Sequence, residues 1–517
     1  MHPNRHRCLA LASSLFLLAL PGTALSYPLD GYDYTGIKRL DVQRMVQDGK
    51  VKGKKRPSGE LLPLDRVELR LLNHKNLTLP KPDPQLSAAA KRLLGPQASR
   101  YGLSLLDLSD IDNPRYAEVN GSVQQNPGSV GKILVALGVF QGLADIYPDS
   151  IEDRERVLRN TIITADKFSV YDHHTVPKWD AAKGRLYRAP IHEGDQATLW
   201  TYLDWMMSPS SNSAAGMLQK QLILLKQYGK NYPPSQEEQD RFFKETKKTE
   251  LGQIFAEAIQ GPVTRNGLDL KNMRQGSFFT RQGKIRVPGT SSYATPRELT
   301  KYMMLMEQGK LVDEWSSREI KRLLYITERR IRYGSSGILR PSAVYFKSGS
   351  LYSCQPEEGF TCKKYHGNKR NYMNSTAIIE TPAGQDQLYY IVSVLSNVLR
   401  KNSAQDHRDL ARAIHQKLLR EHKDRKADKI AYGKGFIGYE AERREITLKV
   451  DTQEALLDLG YDIGEIDGQI GPATRKAIRA FQKSQGLKTT GQTSVELVDR
   501  MRQVAQQKGL ARPDAGG

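Results

Sequence analysis

With 517 residues the chain is too long for one compact domain, and two or three are expected. Its formal charge of +21 raises nucleic acid as a partner. The export pattern at the N-terminus argues against nucleic acid and leaves the anionic polymers and lipids of a cell envelope as counter-ions. A solvated basic surface with no specific partner is the plain alternative.

Residues 1–26 read as a signal peptide. Arg5 and Arg7 precede an apolar run from Leu9 to Leu20, and Ala24-Leu25-Ser26 forms a small-residue cleavage site before Tyr27. The run is short for a bilayer span, and a retained anchor is the alternative. No later stretch reads as a membrane helix, so no stable span is expected after cleavage. The protein is therefore expected to be exported, to the periplasm or cell envelope of a bacterium. Cys8 precedes the apolar run and is badly placed for lipid attachment. Cys354 and Cys362 remain, and an even pair in an exported chain reads as one disulfide.

Residues 27–85 are rich in Lys, Arg, Gly and Pro. Only the stretch from Leu61 to Leu72 is apolar enough to pack, and the segment reads as an extension lying on the main domain. The body, residues 86–425, begins with a helix from Leu86 to Leu94, stopped by Gly95-Pro96. A buried strand follows from Tyr101 to Leu108, then a second around Tyr116 to Val119. Helical patterns cover Val130 to Leu143, Ile151 to Thr164, Leu199 to Met207, Ser213 to Tyr228 and Gln236 to Gln260. Strands are expected at Ala343–Phe346, Ser375–Glu380 and Leu388–Leu395, and a last helix from Ala404 to Leu419. The order implies an α+β domain, one sheet assembled from both ends of the chain with a helical lobe inserted. A charged, Gly-rich linker at 426–447 leads to a second unit at 448–506 and a polar, disordered tail at 507–517.

Three short pieces carry chemistry. Ser129 and Lys132 stand three residues apart at a helix start, where unpaired N–H groups favour an anion and the lysine returns to the serine's face. Ser210-Ser211-Asn212 and Lys347-Ser348-Gly349 follow. Amide hydrolysis through an acyl-enzyme needs a nucleophile, a base, a proton for the leaving amine and oxyanion donors. Ser129 is the candidate nucleophile and Lys132 its base, provided burial and a second cation lower the amine's pKa. Lys347 supplies that cation and attracts a substrate carboxylate. Ser210 suits proton relay, and Asn212 orients Lys132 and holds a substrate amide. Gly349 lets substrate approach the strand as an added strand, and the N–H groups of Ser129 and Ser350 make an oxyanion hole. Taken singly, each piece is also explained as a helix cap or a strand end and turn.

In order and spacing these pieces match the S-x-x-K, S-x-N and K-[ST]-G set, and residues 86–420 resemble the class A β-lactamase and D,D-peptidase superfamily. The run from Ser210 to Ala215 is similar to the family's S-D-N-T-A-A, and Thr295-Pro296-Arg297-Glu298-Leu299 to its T-P-x-x-[ML] helix. The resemblance implies a five-stranded antiparallel sheet with helices on both sides and the serine between two lobes. It also implies a glutamate, in an E-x-x-L-N loop, that activates the deacylating water. Between Gly276 and Ala294 the chain has no Glu or Asp, so slow turnover of a penicilloyl ester is expected.

Residues 448–503 resemble a three-helix peptidoglycan-binding module. The matching runs are Gln453 to Tyr461, Gly464 to Pro472, and Thr474 to Leu487. Asp467-Gly468 and Gly471-Pro472 are expected to form its tight loop, and Leu456, Ile478, Phe481 and Leu487 its core. His173, His174 and His192, with Asp172 nearby, fit no standard zinc spacing, and no metal or cofactor is expected. Asp195 reads as a helix cap. The leading expectation is a serine hydrolase that cleaves D-Ala-containing peptidoglycan peptides and is acylated by β-lactams. The alternatives are a true β-lactamase with another deacylating base, and a non-catalytic wall-binding or sensing protein.

Overall fold

The computed structural model describes residues 31–423, 445, 448–464, 466 and 468–510. The expected signal peptide, the linker apart from Glu445, Asp467 and residues 511–517 of the tail lie outside the described residues.

The centre is a five-stranded sheet of β1 (Tyr101–Asp107), β2 (Arg115–Val119), β3 (Ala343–Ser353), β4 (Arg370–Thr381) and β5 (Leu388–Asn397). Its order is β2-β1-β5-β4-β3, antiparallel throughout, so both ends of the domain meet in one sheet and β3 is an edge. Alternate residues of the strands serve two cores. Leu103, Leu105, Val344, Phe346, Val392 and Val394 pack with α8 (Ala404–Glu421) through Leu410, Ile414 and Leu418. Leu106, Tyr345, Ile378 and Ile391 face the larger core of the helical lobe.

That lobe is built around α2 (Lys132–Ile146), apolar on nearly every side. The stretch 128–146 is long and apolar enough to cross a membrane, but 83% of it is buried inside the lobe, which accounts for its composition. Around it stand α3 (Leu199–Met207), α4 (Asn212–Tyr228), α5 (Lys248–Arg265), α6 (Pro296–Glu307) and α7 (Glu314–Tyr325). Helix α1 (Pro84–Leu93), capped by the Asp83 carboxylate, lies against β2.

Several expected elements differ. The helix from Ile151 ends at Asn160, and Ile162–Thr164 pairs as a strand with Gln196–Thr198. The single helix expected over Gln236–Gln260 is two, Gln236–Glu245 and α5, because Thr246 and Lys247 are extended. Phe243 of the first contacts Phe168, while Phe255 of the second contacts Phe278. Strand β3 does not stop at Phe346 but runs on through Lys347–Ser353. Asp195 caps no helix: Thr198 caps α3, and the Asp195 carboxylate accepts from Lys178 and the His192 N–H.

The described part of the N-terminal extension adds Ile37, Leu40, Leu62, Val67 and Leu71 to the large core. Residues 450–504 have a core of their own, formed by a helix over 448–458, by Pro472–Ser484 and by Val495–Gln507. Leu456, Ile478 and Phe481 are buried there as expected, but Leu487 is 42% exposed. Leu497, Met501 and Val504 of the last helix close the core instead.

Candidate active site

Ser129 sits in a single turn, Gly128–Gly131, that leads into α2. Its hydroxyl caps no backbone N–H; it accepts a hydrogen bond from Lys132 Nζ at 3.0 Å. Three-residue spacing on a helical turn produces this meeting. Lys132 is fully buried, and its amine also donates to Ser210 O (2.6 Å), Asn212 Oδ1 (2.8 Å) and, at 3.4 Å, Ser210 Oγ.

The Ser-Ser-Asn segment divides its duties. Ser211 is the cap of α4, accepting from Ala214 N, so the capping explanation holds for that residue. Ser210 adopts the left-handed conformation (φ +66°), uncommon for a non-glycine residue, which turns it out of the helix towards the lysines. Lys347 Nζ, on edge strand β3, donates to Ser210 Oγ at 2.8 Å. One hydroxyl therefore bridges the two amines.

Gly349 is required by close approach. A Cβ there would lie 2.0 Å from Pro127 O and 2.7 Å from Ser129 N. This tight packing brings Ser350 of β3 against the turn that carries Ser129: a Cβ on Gly128 would lie 2.7 Å from Ser350 N. Ser348 and Ser350 line the same cavity as Ser129, Ser210 and Lys347. Beyond Ser353 a disulfide joins Cys354 to Cys362 and closes the loop towards β4.

Burial pushes the Lys132 amine down to about 7, against the opposing pull of the Asp172 carboxylate. Lys347 is lowered far from its ordinary value, first by burial and then by the charges of Lys132, Arg332 and Arg329. A buried amine near neutrality is able to take a proton from a hydroxyl at pH 7. Burial alone lowers Lys132, and the repulsion expected of Lys347 on it appears instead as the effect of Lys132 on Lys347.

All five expected catalytic residues and Ser348, Gly349 and Ser350 thus meet in one crevice. Other residues found there were not singled out as site residues in the sequence. Arg332, left-handed at φ +53° and buried, donates to Gly349 O at 2.9 Å and lies 5.2 Å from the Tyr365 ring centre. Phe279, from the segment free of carboxylates, places its ring centre 5.0 Å from Lys132 Nζ. Neither cavity at the serine is lined by an Asp or Glu among the described residues. Asp172 lies just behind them. Its Oδ2 accepts from Ser211 Oγ (2.8 Å), Asn212 N (2.6 Å) and Ser213 N (3.0 Å), while Oδ1 meets His174 Nδ1 at 2.5 Å.

Asp172, His173 and His174 have ligand-type atoms within 4.8 Å of one another. The two rings are stacked, 4.3 Å apart and 30° from parallel, and both Asp172 oxygens already accept N–H or O–H donors. His192 lies instead beside Asp195.

A serine bonded to a buried lysine of lowered pKa, beneath the edge of a five-stranded antiparallel sheet, defines a serine hydrolase of the β-lactamase and transpeptidase-like fold. Residues 85–418, more than half of the chain, match the model of the beta-lactamase enzyme family, and the chain belongs to that family. Residues 450–501 match a peptidoglycan binding domain. Among solved structures, a beta-lactamase from Sphaerobacter thermophilus DSM 20745 is similar at 14% identity over 64% of this chain and 97% of that one (TM-score 0.41). A beta-lactamase from Chitinophaga pinensis DSM 2588 gives 15% over 65% and 97% (TM-score 0.41). PBP-A gives 13% over 66% and 100% (TM-score 0.38). A search of curated proteins finds no match.

Proposed function

We propose that the protein is an exported hydrolase that acylates itself on Ser129 while cleaving an amide beside D-alanine in peptidoglycan peptides, and that β-lactams acylate the same hydroxyl. The observation that carries this reading is the Ser210 hydroxyl held between the two buried amines. Lys132 takes the Ser129 proton as Oγ attacks the carbonyl, and the N–H groups of Ser129 and Ser350 receive the oxyanion. The leaving nitrogen is protonated through Ser210, and Lys347 with Ser348 receives the terminal carboxylate of the substrate. The C-terminal domain holds the enzyme on its polymeric substrate in the cell envelope.

Membership of the beta-lactamase family favours a second reading, efficient β-lactam hydrolysis. Against it, the cavities at Ser129 are lined by no Asp or Glu among the described residues, and Phe279 stands over Lys132. Labelled penicillin on the purified full chain separates the two. A long-lived adduct that disappears in Ser129→Ala supports the peptidase, and rapid release of opened product supports the β-lactamase. No adduct at all would leave only a wall-binding protein. Because Lys132 must be neutral to act as a base, acylation should fall as pH drops below about 7 and level off above it. A flat profile across that range would remove Lys132 from the base role. Muropeptide products identify the bond cleaved.

A further inference from the structure

The acyl-serine cycle needs a second proton acceptor, for the water that releases the acyl group, and the segment where the resemblance implies one presents Phe279. The other wall of the crevice offers a candidate. His174 lines both cavities at Ser129, and its side chain is only 16% exposed. Its Nδ1 is occupied by Asp172 at 2.5 Å. Asp172, with a side chain 1% exposed, is itself fastened to the first turn of α4, the helix that carries Asn212. The carboxylate therefore fixes both the ring and its tautomer: Nδ1 keeps the proton, and Nε2 presents a lone pair. No described residue bonds Nε2.

We propose that His174, oriented by Asp172, is a further catalytic residue, the base that hydrolyses the Ser129 ester; this rests on the function proposed above. Water attacks the ester carbonyl carbon as its proton passes to Nε2, and the carbonyl electron pair moves to the oxygen held by the N–H groups of Ser129 and Ser350. Collapse of that intermediate breaks the bond to Ser129 Oγ, which recovers the proton, and the product leaves as a carboxylic acid. Asp172 is a positioning residue in this scheme, since it acts through the imidazole.

The charged and titratable groups around His174 favour a neutral ring. Lys132 from α2 and Lys347 from β3 face it, and Arg329 and Arg332 share its inner cavity. Lys284, Lys364 and Tyr365 line the outer one, and the stacked His173 and the Asp172 carboxylate complete the set. Burial lowers the imidazole below its ordinary value; the Asp172 hydrogen bond opposes this and the Lys132 charge adds to it.

The test uses the full chain with two probes. Labelled penicillin reports acylation of Ser129, and an N-acyl-D-alanyl thioester, which acylates readily, makes turnover report ester hydrolysis. In His174→Gln, penicillin labelling should persist while thioester turnover falls about 100-fold, the low end for loss of a general base. The acid limb of wild-type acyl-enzyme decay, followed once Ser129 is already acylated so that Lys132 does not enter, lies below the ordinary histidine range and should vanish with it. Hydroxylamine, a nucleophile that needs no such base, should restore acyl release in the variant. Turnover retained within about tenfold would overturn the proposal, since a positioned base contributes more than that. Loss of both labelling and turnover in the variant would also overturn it, by placing the histidine in acylation. A wild-type protein inert to both probes would defeat the proposed function itself, a result distinct from failure of His174 alone.

Discussion

The two ends of the described chain are attached to the hydrolase body in opposite ways. The N-terminal segment, basic and poor in apolar residues, is inserted into it. Arg39 donates two hydrogen bonds, at 2.5 and 2.7 Å, to Asp204, a carboxylate with no exposure on α3. Arg70 reaches Glu380 on β4 at 3.2 Å, and Glu380 also holds Lys321 at 2.7 Å. The C-terminal unit, by contrast, has an apolar core of its own and meets the body where Val450 and Gly468 lie against Gly337. An ion pair from Arg412 to Glu454 at 2.5 Å, partly exposed, connects it to α8. Composition makes the first segment look like the looser appendage. Burial makes it part of the core, because the Asp204 carboxylate, removed from water, takes its two charged hydrogen bonds from Arg39 of this segment.

The sharpest way to break that contrast is Arg39→Ala, which leaves Asp204 buried without its main counter-charge. Removing one partner of such a pair costs about 3–5 kcal/mol, to be read from urea or thermal unfolding. Burial already raises the Asp204 pKa, against the pull of Arg39, and loss of the arginine raises it further. The folded state then binds a proton more tightly than the unfolded chain, so the deficit should shrink as pH falls towards the ordinary carboxylate range. A deficit independent of pH would show that Asp204 is not its source. Arg70→Met should cost less, about 1–3 kcal/mol, because Lys321, though shared with Glu307, still faces Glu380. Equal losses in the two variants would mean that the redundancy at Glu380 has no energetic value.

The same contrast marks what was legible beforehand. Motif spacing was enough to bring Ser129 to Lys132, since a helical turn is local, and the short apolar runs of β1 and β5 marked core strands of the sheet. Ser210 and Lys347, distant in sequence, were recoverable only because their motifs fall in a recognised order. The groups that surround them depend on long-range approach. Arg332 and Tyr365 reach the crevice on left-handed backbone that carries no sequence signature. His174 stood out as a residue, yet only in a histidine group that fits no zinc spacing, because the three N–H and O–H groups that hold Asp172 are contributed from the start of a helix some 40 positions on. The break between Gln236–Glu245 and α5 was invisible for a related reason. No Gly or Pro marks Thr246 and Lys247, and the separate aromatic contacts of the two helices are tertiary.

Removing residues 448–517 tests the other half of the comparison. A module with its own core should leave the body nearly unaffected, with a change of about 1 kcal/mol or less for the lost Arg412–Glu454 pair, as for exposed ion pairs generally. Sedimentation with purified sacculi should fall sharply, while penicillin labelling of Ser129 continues. The smallest effect belongs to Arg412→Ala in the intact chain. Both partners are partly exposed, at 25% and 12%, so screening by salt limits the contribution to about 0–1 kcal/mol. A loss as large as that of Arg39→Ala would mean that the C-terminal unit is stabilised by the body as firmly as the N-terminal segment is. In that event its separate apolar core would not fold independently, and the truncated chain would show the same loss.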